Sequence, residues 1–215
     1  MSSSHILSEK KDHKKQARQA IIIDAAERVF AVKTFNKVSM RDIAREAGIS
    51  HAAIYRYFPD QRSLFIEAFL RGAQEIISFL SRINDESPQG DIRRTAQAYI
   101  DYLVNKEPYF RMMTHFMLDG SLTVEMTEKL NEAERRIFDQ FDAMFRNMEM
   151  PEPVRLLSHA LFAALHGVLI TFNNYPGRDQ AAVRGHIDRI VDILIDQFIM
   201  RKINIKNNNL KEEPC

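Results

Sequence analysis

One cysteine occurs among the 215 residues, and it is the last of them, Cys215. No internal disulfide can form, which excludes a disulfide-stapled scaffold and fits a reducing cytoplasm, the location expected here. No run of about 18 apolar residues is present, so no membrane span and no membrane partner are expected. The opening MSSSHILSEKKDHKK lacks the apolar core of a signal peptide. Alternating apolar and polar residues, the mark of a strand, do not compete anywhere with helical spacing. GxSxG, Gly-rich phosphate loops and CxxC are all missing, so no catalysis and no cofactor are expected. Glycine and proline number only seven each, and this sparse punctuation separates long helical segments.

What is present is an ordinary globular composition, 45% apolar and 27% charged, with a net charge of +1. That charge is unevenly spread. Residues 1–71 hold 13 Lys/Arg and 8 Asp/Glu, a balance of +5, whereas the remainder holds 17 and 21, a balance of −4. A basic first third and an acidic remainder imply one end that faces nucleic acid and one that avoids it.

The stretch VSMRDIAREAGISHAAIYRYF, residues 38–58, is the most informative. Ser39 caps a helix, with Asp42 three residues later completing a capping box. Met40, Ile43, Ala44 and Ala47 share one face of that helix, and Arg41, Arg45 and Glu46 point elsewhere. Gly48 tolerates the left-handed backbone that follows a helix end. Ser50 caps a second helix of about eight residues, which Pro59 ends after Phe58. Two helices joined by a Gly-containing turn make a helix-turn-helix, whose second member can lie in the major groove of double-stranded DNA. On its polar side stand Ser50, His51, Tyr55, Arg56 and Tyr57, donors suited to phosphates and base edges.

Around this pair the chain reads as all-α, with about nine helices. Residues 1–15, with Lys10, Lys11, Lys14 and Lys15, form a polar basic arm without expected structure. A first helix from Gln16 to about Lys33 carries Ala20, Ile23, Ala26, Val29 and Phe30 at helical spacing. Asp60 opens a longer helix to about Arg82, roughly 34 Å at about 1.5 Å per residue. Helices then follow over about 92–107, 109–118, 122–147, 153–174 and 179–202. The expected division is a DNA-binding domain over 16–59, a helical ligand-binding and dimerisation domain over 60–204, and a flexible tail over 205–215.

Residues 18–65 resemble the DNA-binding domain of the TetR family of bacterial transcriptional regulators. The matching positions are Ala25-Ala26, Phe30, Val38-Ser39-Met40, Asp42-Ile43-Ala44, Ala47-Gly48-Ile49-Ser50, Ile54-Tyr55-Arg56-Tyr57-Phe58 and Leu64. The resemblance implies a dimeric repressor that binds a palindromic operator and is released when a small molecule enters the helical body. It implies that Ser39 caps and touches a phosphate, and that Ser50, His51 and Ala52 begin the recognition helix. Tyr55 would hold a phosphate, while Arg56 and Tyr57 would reach DNA. The chain departs from the family pattern at Thr34, where glycine is frequent, at Gln61, where lysine is frequent, and at Ala53, where threonine is frequent. The two latter changes remove phosphate contacts, and Arg62 can substitute for one of them.

From the residues themselves, Arg41, Arg45, Tyr55 and Arg56 form a phosphate clamp, and His51 is the base reader. The alternatives are that Tyr57 packs inward and that Arg45 pairs with a nearby Glu. One unit offers too little surface for a tight specific site, so a homodimer is expected. Small residues Ala160, Ala163, Ala164 and Gly167 let a helix approach closely. With Ile187, Ile190, Val191, Leu194 and Phe198 of the last helix they mark the expected dimer interface. A ligand site for a small, largely apolar effector is expected among Tyr102, Phe110, Met113, Phe116, Met117, Phe141 and Met144. His166 and Asn173 would add polar contacts. The remaining alternatives are a metal-responsive regulator using His159 and His166, and a nonspecific architectural DNA binder.

Overall fold

The computed structural model describes residues 3–33, 35–118, 123–173 and 175–209, with the side chains of 3–11, 35, 116, 118 and 204–209 left aside. Among these residues there are nine α-helices and no strand. They are α1 (Ser3–Val32), α2 (Met40–Glu46), α3 (His51–Ile54), α4 (Gln61–Glu86), α5 (Ile92–Asn105), α6 (Glu107–Leu118), α7 (Val124–Asn147), α8 (Val154–Phe172) and α9 (Gln180–Asn209). A 3-10 turn, Phe35–Lys37, joins α1 to α2. The expectations at Thr34 and Cys215, the helix ends expected at residues 122 and 174, and residues 210–215 of the expected tail lie outside the described residues.

The helices group into two compact units, Met1–Gln74 with Lys106–Ala133 and Glu75–Asn105 with Glu134–Cys215. The chain passes from the first to the second within α4, returns between α5 and α6, and passes again within α7. This division differs from a boundary at residue 59. The first half of α4 and all of α6 group with the helix-turn-helix, because α1 packs on both α2 and α6.

In the first unit the core is Ile22, Ala25, Ala26, Val29 and Phe30 of α1, closed by Met40, Ile43, Ile54, Phe58, Leu64 and Phe65. Phe30 meets Phe65 edge to face at 5.2 Å. Ala20 is exposed and Ile23 only half-buried, so the buried stripe starts at Ile22 rather than at the expected pair. The run Ile21-Ile22-Ile23 offers three apolar residues for one inward position, and spacing alone does not choose among them. Helix α1 begins well before Gln16, in the segment read as an unstructured arm. No Gly or Pro interrupts residues 1–47, so nothing in the sequence stops the helix there. Arg71 of α4 ties back to α1, 2.6 Å from Asp24 and 2.8 Å from Glu27.

The second unit is built on Tyr99, Ile100 and Leu103 of α5, Phe141, Met144 and Phe145 of α7, Leu161 and Leu165 of α8, and Ile187, Val191 and Ile195 of α9. Charge pairs line the α5–α9 seam: Arg93 meets Asp192 and Asp196, and Gln97 donates to Asp188 at 2.7 Å. By length and composition α8, 19 residues, is apolar enough to cross a membrane. It is not an unbroken apolar run, since it carries Arg155, His159 and His166, and half of it is buried.

Candidate nucleic-acid interface

The helix-turn-helix is assembled by three local devices. Ser39 Oγ accepts from the backbone N–H of Asp42 at 3.2 Å, and the Asp42 carboxylate accepts from Ser39 N at 3.2 Å, a complete capping box. Hydrogen bonds from Lys33 and Ser39 hold the Asp42 carboxyl below its usual pKa. At the other end of α2, Gly48 adopts φ +66°. Its N–H reaches Arg45 O at 3.2 Å and the N–H of Ile49 reaches Ala44 O at 3.0 Å, the paired bonds of a Schellman ending. Ser50 Oγ then accepts from Ala53 N at 3.2 Å and starts α3.

Helix α3 is shorter than the eight residues expected. Beyond Ile54 the chain continues as turns, with Tyr57 N–H and Phe58 N–H both bonded to Ile54 O at 3.0 Å. Ile54 and Phe58 face inward and anchor the segment, leaving Ser50, His51, Ala52, Tyr55 and Arg56 exposed together. Tyr55 Oη lies 3.4 Å from His51 Nε2, and their rings meet edge to face at 5.2 Å. The two side chains therefore present one polar edge rather than two independent ones.

The expected contact residues separate by environment. Arg41 and Arg56 are exposed, and among the described residues neither is engaged in an ion pair. Ser39 is exposed, but its hydroxyl also donates to Asp42 at 2.8 Å and so serves the cap. Arg45 pairs with Asp42 at 3.1 Å while remaining 79% exposed; its partner is that Asp, whereas Glu46 pairs with Arg28 at 2.6 Å. Tyr57 is half-buried, intermediate between packing and contact.

Two features behind this surface were not legible in the sequence. Arg111 of α6 donates to Ala31 O at 3.2 Å, satisfying a carbonyl of the last turn of α1. Tyr109 lies so close to Gly72 that a Cβ there would come within 2.3 Å of its ring. Tyr109 also stacks on Phe69 at 5.4 Å. An unexceptional glycine inside a helical pattern carries no sign of which ring will cover it.

The expected ligand residues fall in both units. Phe110 and Met113 are buried in the first, where Met117 is 41% exposed; the side chain of Phe116 lies outside the described residues. Phe141, Met144 and His166 are buried in the second, and Tyr102 and Asn173 are half-buried there. His166 shares a 2.8 Å hydrogen bond with Tyr99 and stacks on Phe162 at 4.0 Å, and burial pushes its pKa down to about 4. Despite its helical spacing from His166, His159 is exposed and rests against Phe138 at 4.5 Å. The two histidines do not share a site. Among the described residues no group of three His, Cys, Asp or Glu side chains converges on a metal position.

Of the expected dimer residues, Ala160 and Gly167 are exposed and Ala164 is half-exposed. Ile187 and Val191 are 1% and 0% exposed. They are corrected to the internal core, because α9 is apolar on two sides and the spacing could not say which side its own unit covers. Leu194 and Phe198 are intermediate, the latter 5.6 Å from the Phe145 ring. The open apolar positions are instead Leu156 and Ile170 of α8 and Ile193, Met200 and Ile203 of α9.

Residues 22–68 match the family model for bacterial regulatory proteins of the tetR family. A similar protein is YfiR of Bacillus subtilis, an HTH-type transcriptional regulator still uncharacterized. It is 30% identical over 93 residues, 43% of this chain and 43% of that protein. The chain spans about half, or less, of the length of the curated relatives it matches. The transcriptional regulator FadR of Bacillus subtilis, solved with stearoyl-CoA, shares the fold at a TM-score of 0.63 and 21% identity, over 80% of this chain and 96% of that one. A regulator from Saccharomonospora viridis, solved with choline, does so at 0.67 and 19%, over 82% and 96%. These relatives are regulators rather than enzymes. With its capping box, Schellman turn and exposed α3 face, the segment 22–68 is similar to the bacterial regulatory proteins of the tetR family.

Proposed function

We propose that this chain is a ligand-responsive transcriptional regulator of the cytoplasm that binds a palindromic operator as a homodimer and represses until an effector releases it. The observation that carries the reading is the α3 face. Ser50, His51, Ala52, Tyr55 and Arg56 are exposed on a segment whose opposite side, Ile54 and Phe58, is locked into the core. A rigid mount of this kind presents donors to a major groove with little ordering cost. Arg56 and Arg41 supply sequence-independent attraction to phosphates, and His51 with Tyr55 supplies the base-reading edge.

Dimerisation is supported by the open face of α8 and α9. Leu156, Ala160, Ala163, Gly167 and Ile170 repeat at intervals of three and four and stay exposed, and no heavy atom lies within 4 Å of a Cβ built on Gly167. A stripe of small and apolar side chains left open to water is one that a second copy covers. Effector response is supported by the relatives solved with stearoyl-CoA and choline. Those ligands differ so much in chemistry that the effector class does not transfer. Within the first unit, Arg111 on Ala31 and Tyr109 on Gly72 join α6 to both α1 and α4. An effector that favours a displaced α6 would bias the mount of α3, with a coupling of about 1–3 kcal/mol.

The test is fluorescence anisotropy of the full chain with its own promoter DNA and a scrambled duplex, over a range of salt. The promoter should bind at least about 10³-fold more tightly, and affinity should fall steeply with salt. Arg56→Ala should weaken both duplexes alike and reduce the salt slope by about one, whereas His51→Ala should erode the preference. Equal affinity for both duplexes would favour an architectural binder, and no binding at low salt would end the DNA reading.

A further inference from the structure

The turn between α8 and α9 carries a cavity of about 230 Å³ lined by Phe172, Tyr175, Arg178, Val183 and His186. Three rings form its walls. Phe172 stacks with Tyr175 at 6.3 Å and 29°, and His186 meets Phe172 edge-on at 4.9 Å and 80°. Val183 is buried and adds an aliphatic surface. The Arg178 guanidinium lies 5.8 Å from the centre of the Tyr175 ring.

Charge in this cavity is of one sign. Among the described residues no carboxylate lies within ion-pair distance of Arg178, and no acid is part of the lining. The neighbouring Asp179 is engaged elsewhere, since its carboxylate accepts from Ala182 N at 2.8 Å and caps α9. A guanidinium over a ring face keeps its in-plane N–H donors available, and their fork matches a carboxylate. Flat aromatic walls at stacked and perpendicular angles suit a planar ring. The volume is below the range of about 300–1,000 Å³ typical of drug-sized ligands, which limits the guest to about one ring. A neutral hydrocarbon would cover the guanidinium without giving it a partner, and a cationic guest would meet Arg178 with like charge.

We propose that this cavity is a binding site for a monocyclic aromatic carboxylate. The site is separate from the Tyr99–His166 cluster and does not rest on the DNA-binding reading. The test is isothermal titration calorimetry of the full chain with sodium benzoate, and with benzyl alcohol as its uncharged counterpart. Benzoate should bind saturably at one site per chain, with benzyl alcohol at least about tenfold weaker, as expected when a charge-assisted hydrogen bond is lost. Arg178→Met, at an exposed position, should weaken benzoate by at least about tenfold. Val183→Phe, which fills the cavity, should abolish its binding. The proposal is overturned if benzoate never saturates, as it would not were a second copy to occupy the cavity. It is equally overturned if benzyl alcohol matches benzoate or if Arg178→Met leaves benzoate affinity unchanged. Because no DNA is present, failure here leaves the operator reading untouched.

Discussion

His166 shows how one residue changes meaning once its surroundings are known. Lone among apolar neighbours on a helical face, it reads as a candidate ligand group, although such a histidine more often serves as a buried core group. Its Tyr99 bond and its stacking on Phe162 settle it into the core of its unit, with a pKa lowered by burial to about 4. The sign for stability follows. The unfolded chain takes up a proton near pH 6.5 and the folded chain resists it, so stability is undiminished above that pH and falls as pH drops from about 6.5 toward 4. The full loss amounts to about 3 kcal/mol at the lower end. Urea unfolding of His166→Gln at pH 7 and pH 5 should show a much smaller drop than wild type. An equal drop in both would place the acid sensitivity elsewhere.

Among the elements, helix ends were the most legible feature, because caps are written in residue type. Ser39 with Asp42, Gly48 and Ser50 each do in the structure what their chemistry implies. The end of α7 escaped this logic. Glu149 stands there at φ 55°, with its N–H on Arg146 O at 2.8 Å and the N–H of Met150 on Phe145 O at 3.0 Å. This repeats the Schellman ending of α2, but with a side chain where glycine is usual, and nothing in the letters marks it. Replacing Glu149 by Gly should raise stability by about 0.5–1 kcal/mol, since left-handed strain is removed at a modest entropic cost. Thermal unfolding by circular dichroism checks this; a lowered Tm would mean that the Glu149 side chain outweighs the strain. Buried faces were less legible than ends. The isoleucine run of α1 and the two apolar sides of α9 hold more greasy positions than one unit can cover, so spacing could not assign Ile22 or Val191 in advance.

For the whole molecule, the open stripe on α8 and α9 is the feature with the clearest experimental consequence. Ile170 is 57% exposed and Ile193 is 62% exposed. If a second copy covers them, Ile170→Glu places a charge in a dry interface. The variant should then sediment as a monomer while keeping its helical content. A wild-type monomer, or a variant that stays dimeric, would show that this face is not the junction. Val191→Ala is the useful contrast, because it acts on the interior and should lower the unfolding midpoint without changing mass.

Helix α4 contains one point with almost no intrinsic stiffness, and Tyr109 happens to sit on it. Glycine is about 1 kcal/mol poorer than alanine in a helix interior, because its bare backbone is both wet and free to turn. With the phenol ring in place, water is kept off and the backbone has no room to bow. Lifting that ring would remove both restraints together, two residues before Gln74, where the chain leaves the first unit. The one glycine of α4 is thus braced from outside its own helix, and the brace belongs to α6.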